Sequence, residues 1–239
     1  MLRCHLENTK NKNSRLATNV ASRLFLLYNI SYMRPLTFIF FGRSGSGKGT
    51  QAKLLIDYLR ESDTTRKTIY IETGARFREF AEEASHTSKL TSEIMHGGGL
   101  LPAFLPIWIW TDYLIKNTSG NEHMVLDGLS RRISEAPILD SAMKFYKRQK
   151  PYVITINVSR EWSKEKLLSR GRSDDNKKDI EERLNWYEEN VLPTVDFFKN
   201  NQDYHFIEVN GEQSIEDVHN EMLEKIFGKG VVAVHKNNK

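Results

Sequence analysis

The segment Gly42-Arg43-Ser44-Gly45-Ser46-Gly47-Lys48-Gly49-Thr50 follows an apolar run at residues 36–41 and precedes a helical pattern at residues 51–59. A strand, a glycine-rich loop and a helix in that order are the context in which G-x-x-x-x-G-K binds phosphate. The glycines let backbone N–H groups turn toward an anion, and the helix adds the positive end of its dipole. Lys48 adds a full positive charge. The segment therefore predicts a phosphate-binding loop.

The alternative interpretation of this segment is a tight turn whose glycines only allow a strand and a helix to pack closely. Four glycines, a lysine and the flanking periodicity together disfavour it. Gly49 stands where many such loops carry the Ser or Thr that contacts magnesium, and Thr50 comes one residue later. The resulting G-K-G-T sequence distinguishes this loop from phosphate-binding loops in which Ser or Thr directly follows the lysine.

Length and composition describe an ordinary soluble globular protein. The chain has 239 residues, enough for one sizeable α/β core and few for two. Charged residues make up 28% and hydrophobic residues 39% of the chain. Residues 1–32 carry five basic residues against Glu7, a net charge of +4 that equals the net charge of the whole chain. The remainder is neutral, so composition gives no support for a nucleic-acid partner.

The single cysteine and the short apolar runs limit the cellular context. With only Cys4, the chain has no intrachain disulfide and no thiolate zinc cluster, which suits a reducing compartment. No apolar run approaches the length of about 20 residues that spans a bilayer. We therefore expect a cytoplasmic protein without a membrane partner.

The two ends of the chain are expected to lie outside the folded domain. Residues 1–32 are rich in Asn, Ser and basic residues, and Met33 leads straight into the first predicted strand. We expect residues 1–32 to be a disordered or spurious extension. The alternative is an organellar transit peptide, because the stretch is nearly free of acids and contains arginines. We expect one domain over residues 33–228 and a disordered tail over residues 229–239.

Strands and helices alternate after the loop. Apolar runs predict five strands, at residues 36–41, 67–72, 123–127, 152–158 and 205–209. Helical spacing predicts helices between and after them, including long ones at residues 131–150 and 174–198, the second bent by Pro193. The near-continuous apolar run 152–158 is typical of a buried parallel strand. The fold class is therefore α/β, with helices on both faces of a five-stranded parallel sheet.

Four further segments follow strands or lie on helices where they would meet the loop. They are residues 73–78, 127–131 and 170–175, and Arg183. Because the ends of parallel strands share one edge of a sheet, residues just beyond them meet in one crevice. Asp127 ends a strand, where a carboxylate suits a contact to magnesium-bound water. Several arginines neutralise the oxygens of a transferring phosphoryl group and fix donor and acceptor in line.

Each of these segments also has a structural interpretation. Thr73-Gly74 would cap a helix, and Asp127-Gly128 is a common turn pair. Arg170 and Arg172, as an isolated R-x-R pair, would belong to a solvated basic loop. Arg183 would pair with Asp179, one turn earlier on a helix surface, although it borders the buried stripe. Only the order and spacing of the segments together indicate a site.

This order resembles the adenylate kinase family, and more broadly the nucleoside monophosphate kinases, over residues 36–227. The family patterns GxxGxGKGTQ, TGxxxR, DGxxR and R…GRxDDN…R–L appear at residues 42–51, 73–78, 127–131 and 170–184. The resemblance implies a three-layer P-loop nucleoside kinase fold. It also implies a small helical monophosphate-binding segment at about residues 73–102 and a very short lid at about residues 168–175. In this family the metal is held mainly by phosphates and water.

The resemblance also implies roles for individual residues. The ATP-binding residues would be Gly45, Ser46, Gly47, Lys48, Gly49, Thr50, Arg170 and Gln213, the last near the base. The monophosphate would be held by Thr73, Arg78, Gly99, Leu100, Leu101, Gly128, Arg131, Glu135, Arg172 and Arg183. Catalysis would depend on Lys48, Arg131, Arg170, Arg172 and Arg183, and Asp127 would contact magnesium through water.

Several residues depart from the family pattern. Ser44 and Ser130 replace common prolines, Ala75 replaces a usual Asp, and Glu72 replaces a small residue. Glu135 takes the place of a Gln that reads the acceptor adenine. A carboxylate there accepts from the 6-amino group but cannot donate to N1, which argues against AMP. Only Gly171 separates Arg170 from Arg172, so the lid has no room for a zinc-bearing insertion.

The resemblance therefore implies an enzyme that moves the γ-phosphoryl group of Mg-ATP to a nucleoside monophosphate, with AMP as the expected acceptor. Its cofactor would be Mg²⁺ with ATP, without zinc, and we expect a monomer. Two alternatives remain open: a uridylate–cytidylate kinase, and a non-catalytic P-loop nucleotide-binding protein. The number of arginines disfavours the second alternative, because binding alone does not require so many.

Overall fold

The computed structural model describes residues 34–171 and 176–228. The predictions for residues 1–32, for residues 229–239 and for Arg172 lie outside the described residues. So does the second half of the predicted lid, which spans residues 168–175. No helix within the two described ranges combines the length and the apolar character needed to cross a bilayer.

The predicted five-stranded parallel sheet is confirmed. Its strands are β1 (Thr37–Phe41), β2 (Thr68–Glu72), β3 (His123–Asp127), β4 (Tyr152–Asn157) and β5 (His205–Asn210). They lie in the order β2-β3-β1-β4-β5, and every pair is parallel. β1 is therefore central, with β3 on one side and β4 on the other, and the loop that follows it opens at the middle of the sheet edge.

The helices surround this sheet. They are α1 (Lys48–Ser62), α2 (Thr73–Ala81), α3 (His86–His96), α4 (Phe104–Asn117), α5 (Ala136–Phe145), α6 (Arg160–Arg170), α7 (Lys177–Trp186), α8 (Leu192–Lys199) and α9 (Ile215–Phe227). A 3₁₀ turn at Ile133–Glu135 precedes α5, and a π-helical turn at Tyr187–Val191 joins α7 to α8.

Alternate residues of the central strand enter two separate cores. Ile39 of β1 belongs to a core with Trp110 of α4 and Phe198 of α8. Phe40, the next residue, belongs to the opposite core, which includes Leu55 of α1 and other residues of α1 and α9. All of these side chains are fully buried, and burying one such side chain stabilises the fold by about 1.5–3 kcal/mol. The predicted three layers are confirmed.

One predicted helix is shorter than expected. Residues 131–150 do not form one helix, since α5 begins at Ala136 and ends at Phe145. The Glu135 side chain accepts a hydrogen bond from the backbone N–H of Arg131 at 3.0 Å, which holds the preceding residues in a loop. Lys147 has a φ of 52°, which an α-helix excludes.

The long helix predicted over residues 174–198 is present from Lys177 to Lys199, but its hydrogen-bond pattern changes within it. α7 ends at Trp186, and a π-helical turn separates it from α8. Pro193 lies in the first turn of α8. Because proline lacks an N–H and its ring clashes with the carbonyl four residues earlier, the regular helical ladder cannot pass through it. The predicted bend at Pro193 therefore takes the form of a change in helix type just before it.

A buried polar cluster lies at the opposite end of the sheet from the glycine-rich loop. His123 begins β3, and its Nε2 lies 3.2 Å from Oδ2 of Asp63. Its Nδ1 accepts a hydrogen bond from the Leu36 N–H at 3.0 Å, so the neutral ring carries its proton on Nε2. Arg66 and Thr65 each donate to Asp63 at 2.6 Å. The cluster ties β1, β3 and the end of α1 together.

The pKa values of this cluster make the fold sensitive to acid. Burial lowers the pKa of His123, although Asp63 opposes the shift. Burial disfavours ionised Asp63, but hydrogen bonds from Thr65 and Arg66 outweigh it and hold the pKa of Asp63 well below its usual range. In the unfolded chain His123 binds a proton below about pH 6.5 and Asp63 below about pH 4. In the folded chain each group binds its proton only at a lower pH. Both groups therefore destabilise the fold as pH falls.

We expect the free energy of unfolding to fall below about pH 6.5 and to fall more steeply below about pH 4. In His123→Gln the slope between about pH 6.5 and pH 5 should flatten, because the group that titrates first is gone. Urea unfolding followed by circular dichroism across this range measures the slope. An unchanged slope in the variant would contradict the role of His123.

Candidate active site

A cavity of about 440 Å³ opens at the edge of the sheet where β1, β2 and β3 end. The glycine-rich loop, the last residues of β2 and β3, and parts of α2, α6 and α7 line it. The sequence-predicted residues that line it are Gly45, Gly47, Lys48, Gly49, Thr50, Thr73, Arg78, Gly99, Leu100, Leu101, Asp127, Arg131, Arg170 and Arg183. Residues far apart in the sequence therefore converge on one site.

The cavity lining is strongly cationic. Its basic side chains are Lys48, Lys53, Arg78, Arg131, Lys166, Arg170 and Arg183. Its acidic side chains among the described residues are Glu72 and Asp127. An excess of positive charge in a concave, partly desolvated site attracts polyanions and holds them with charge-assisted hydrogen bonds.

Lys48 occupies the centre of this charge distribution. Its ammonium donates hydrogen bonds to the carbonyl oxygens of Gly42 at 2.8 Å and Arg43 at 2.9 Å. Desolvation lowers the pKa of Lys48 to about 8, and Asp127 opposes the shift while Arg131 adds to it. The ammonium therefore stays mostly protonated at neutral pH, and a bound anion would raise its pKa again.

Asp127 and Glu72 end neighbouring strands and lie opposite each other in the β2–β3 register. A Cβ at Gly49, in the first turn of α1, would lie 3.5 Å from Oδ2 of Asp127. Burial raises the pKa of Asp127, and Lys48 opposes that shift. Two carboxylates thus lie beside the glycine-rich loop at the edge of the cavity.

The guanidinium groups of Arg78 and Arg131 meet beside Gly74. A Cβ at Gly74 would lie 3.5 Å from Nη1 of Arg78 and 3.6 Å from Nη2 of Arg131. Arg78 also forms an ion pair with Glu72 at 3.1 Å. The hydroxyl of Thr73 is buried and has no hydrogen-bond partner in the part of the chain that the structure describes. These groups leave donors available for an anion.

The loop after β3 folds Arg131 back over its own backbone. Nε of Arg131 donates to the carbonyl oxygen of Gly128 at 3.0 Å. Gly128 has a φ of +73°, and a Cβ there would lie 2.8 Å from Nη2 of Arg131. A side chain at position 128 would therefore displace the guanidinium group. Burial also lowers the pKa of Arg131, with Asp127 opposing the shift.

Comparisons with known proteins agree with this geometry. A family model described as adenylate kinase matches residues 40–203, more than half of the chain. The chain belongs to the adenylate kinase family.

Relatives of the same name cover most of the chain. An adenylate kinase from Corynebacterium urealyticum is 32% identical over 180 residues, covering 75% of this chain and 93% of the relative. One from Azobacteroides pseudotrichonymphae is 31% identical over 191 residues, covering 78% and 94%. One from Prochlorococcus marinus is 31% identical over 188 residues, covering 79% and 97%. The chain is thus a nucleoside monophosphate kinase, an enzyme of phosphoryl transfer.

Four residues predicted from the family resemblance do not line the cavity. The Ser46 side chain is buried, and the Gln213 amide donates to Glu221 at 2.6 Å. Gly128 lies behind Arg131, as described above. Glu135 is fully buried, with one carboxylate oxygen bonded to the Arg131 N–H and the other without a partner among the described residues. Their predicted roles toward nucleotides stay predictions.

Arg183 lies in the cavity wall rather than on the helix surface. It is 9% exposed, and its Nε donates to the backbone carbonyl oxygen of Asp179 at 3.2 Å. Arg183 therefore contacts the backbone of Asp179, and the two residues do not form a pair on the helix surface, because Asp179 is buried as well.

Several lining residues were not predicted from the sequence. The clearest is Trp186, three residues after Arg183 at the end of α7. The spacing from Arg183 is the one signal that places both side chains on the same helix face. Lys53 lies one helical turn after Gly49, and Lys166 lies one turn before Arg170. The same helical spacing would have predicted both residues in the lining.

Proposed function

We propose that the enzyme transfers the γ-phosphoryl group of Mg-ATP to AMP and holds the two nucleotides end to end in the cavity. The observation that carries the proposal is the convergence of Lys48 with Arg78, Arg131, Arg170 and Arg183 on one site beside the glycine-rich loop. Such a cluster of positive charges stabilises the negative charge that develops on the oxygens of a transferring phosphoryl group.

In this proposal the glycine-rich loop holds the donor. Backbone N–H groups of residues 45–50 and the N-terminus of α1 bind the ATP phosphates, as helix N-termini bind anions generally. Lys48 leaves the loop carbonyls and neutralises the transferred group, and Arg170 contributes from the end of α6. Arg78 and Arg131 hold the acceptor phosphate, and Arg183 lies between the two phosphate positions.

Magnesium fits this site by the chemistry of its donors. Mg²⁺ prefers oxygen ligands and keeps several waters, with one or two carboxylates and substrate phosphates completing the shell. Asp127, with Glu72 beside it, supplies carboxylate oxygens at the cavity edge. No cluster of three or more His, Cys, Asp or Glu residues within residues 34–171 and 176–228 forms a protein-only metal site. When bound, Mg²⁺ would neutralise the phosphate oxygens of ATP.

The chemistry requires no covalent intermediate on the protein. The acceptor phosphate oxygen attacks the γ-phosphorus in line, and ADP leaves from the opposite side. The protein contributes position and charge: guanidinium forks fix the geometry of two phosphates, and a desolvated site strengthens each contact.

The base of the acceptor has an apolar part of the cavity available. Phe77, Met95, Leu101 and Pro106 line it and suit the face of a purine. Burial raises the pKa of Glu135 to about 7. Glu135 does not line the cavity, however, so its carboxyl group gives no argument for or against AMP as the acceptor.

An acceptor panel tests the proposal. With Mg-ATP as donor, kcat/KM for AMP is expected to exceed the values for CMP, UMP and dTMP by at least about tenfold, as a site with directed polar contacts discriminates. Coupled detection of ADP formation measures each rate. A preference for CMP or UMP would indicate a uridylate–cytidylate kinase. ATP binding without turnover of any acceptor would contradict the catalytic role of the cavity.

A further inference from the structure

Trp186 joins two parts of the cavity that are far apart in the sequence. It is the last residue of α7 and lines the cavity. Its indole Nε1–H donates a hydrogen bond to the carbonyl oxygen of Gly98 at 2.9 Å. Gly98 lies just after α3, in the turn that leads to Leu100 and Leu101. The indole thus connects α7 with the end of the acceptor segment, residues 73–102.

A second contact holds the same turn against α7. Gly98 has a φ of +69°, and a Cβ there would lie 2.7 Å from both Cα and O of Asp179. Only glycine combines this backbone conformation with this close approach. Asp179 is in the first turn of α7 and Trp186 in the last. Gly98 is therefore held both by backbone packing against the first turn of α7 and by a hydrogen bond from the last residue of that helix.

The face of the indole contacts the phosphate-binding side of the cavity. Cζ of Arg131 lies 5.7 Å from the centroid of the Trp186 ring, within the range of a cation–π contact. Nη2 of the same guanidinium group lies beside Gly74 of the acceptor segment. Trp186 therefore limits the positions of Arg131 as well as those of the Gly98 turn.

Packing alone does not account for this side chain. Trp186 is half-buried and packs in part against the core, but it also lines the cavity. Its one polar atom bonds to a backbone carbonyl outside its own helix. A core residue would gain as much from phenylalanine or leucine.

We propose that Trp186 is a positioning residue for the acceptor nucleotide, which aligns the Gly98 turn and Arg131 with each other before the nucleotide binds. The inference rests on the proposed function, since it assigns this side of the cavity to the monophosphate. A preformed site binds its ligand more tightly because less ordering remains to be paid at binding. Trp186 should therefore act on the KM of the acceptor, with ATP little affected.

Trp186→Phe keeps the ring face and removes only the indole N–H. We expect the KM for AMP to rise about fivefold, the value of one net hydrogen bond. Trp186→Ala also removes the contact to Arg131, and we expect a rise of about thirtyfold together with a fall in kcat. The KM for Mg-ATP should change less than about twofold in both variants. Trp108→Phe, on α4 and outside the cavity lining, is the matched control and should leave all constants unchanged.

A double-mutant cycle with Gly98→Ala tests the connection itself. Gly98→Ala should raise the KM for AMP, and the double variant with Trp186→Phe should show less than the product of the two effects, because both changes release the same turn. Thermal unfolding shows whether each variant is folded. An unchanged KM for AMP in folded Trp186→Phe, or equal rises for AMP and ATP, would overturn the role of Trp186 while wild-type turnover upholds the proposed function. Absence of wild-type turnover with every acceptor would overturn both.

Discussion

Replacing Lys48 with methionine is expected to lower the kcat of phosphoryl transfer by about a thousandfold and to leave the fold intact. Methionine is also unbranched and fills a similar volume, so the change removes the charge and keeps most of the packing of the stem. In the free enzyme the ammonium bonds to two carbonyl oxygens of the glycine-rich loop, Gly42 and Arg43. Those oxygens belong to the first two residues after β1.

The effect is large because the charge lies in a desolvated site. Desolvation that lowers the pKa of Lys48 to about 8 also strengthens its interaction with a phosphoryl group, since little water screens it. Positive charge that is already in place where negative charge develops costs no reorganisation during the reaction. The loss should therefore appear in kcat more than in the KM for ATP, for which the loop N–H groups remain.

Steady-state rates with Mg-ATP and AMP, together with thermal unfolding, measure the outcome for Lys48→Met. Lys116→Met is the matched control, since Lys116 is exposed at the end of α4 and pairs with Asp112 one turn earlier. It should keep the wild-type rate. Turnover near the wild-type level in folded Lys48→Met would contradict the site as proposed here.

The sheet could be predicted from the sequence because its three inner strands, β1, β3 and β4, are largely buried on both faces. Residues 37–41 and 152–157 are almost wholly apolar, so their pattern admits few alternatives. Their alternation with helical patterns then requires a parallel sheet, and parallel strands bring Asp127 to the same edge as the glycine-rich loop. Local patterns in the sequence were therefore enough to predict that residues distant in the chain meet at one edge of the sheet.

The helix boundaries after β3 and before α8 could not be predicted in the same way. The apolar stripe that runs through Leu184, Tyr187 and Val195 continues across the π-helical turn, because side chains still face the core there. Hydrophobic spacing reports which face is buried and is insensitive to a change in the hydrogen-bond pattern. The start of α5 at Ala136 depends on a side-chain contact, because the Arg131 N–H donates to the Glu135 carboxylate and this bond competes with helical hydrogen bonding.

The contacts within the site were the least predictable feature. Glu72 pairs with Arg78, and Trp186 bonds to Gly98 across 88 positions of sequence. Neither contact leaves a periodic signal, because each depends on the path of the chain through three dimensions. The family motifs also omit Gly98 and Trp186, which both lie outside the motifs.

Arg131→Lys is expected to lower kcat with AMP about a hundredfold, the second-largest effect that we predict. The guanidinium group of Arg131 donates to the Gly128 carbonyl, lies over Trp186 and points an Nη atom toward Gly74. Only a planar fork makes these contacts and still presents donors to a phosphate, whereas an ammonium group is a point charge on a flexible stem. Charge is conserved in this variant, so a large loss isolates geometry as the cause.

Rates across AMP and ATP concentrations separate the possible outcomes for this variant. If Arg131 fixes the acceptor phosphate in line with the γ-phosphoryl group, kcat and kcat/KM for AMP fall together, because the lost contacts act mainly in the transition state. Arg60→Lys on the exposed side of α1 is the control and should match the wild type. A loss confined to the KM for AMP would show that the planar fork of Arg131 serves binding of the acceptor and not its alignment in the transition state. Alignment would then depend on Arg78 and Arg183, two of the three other guanidinium groups among the described residues that line the cavity.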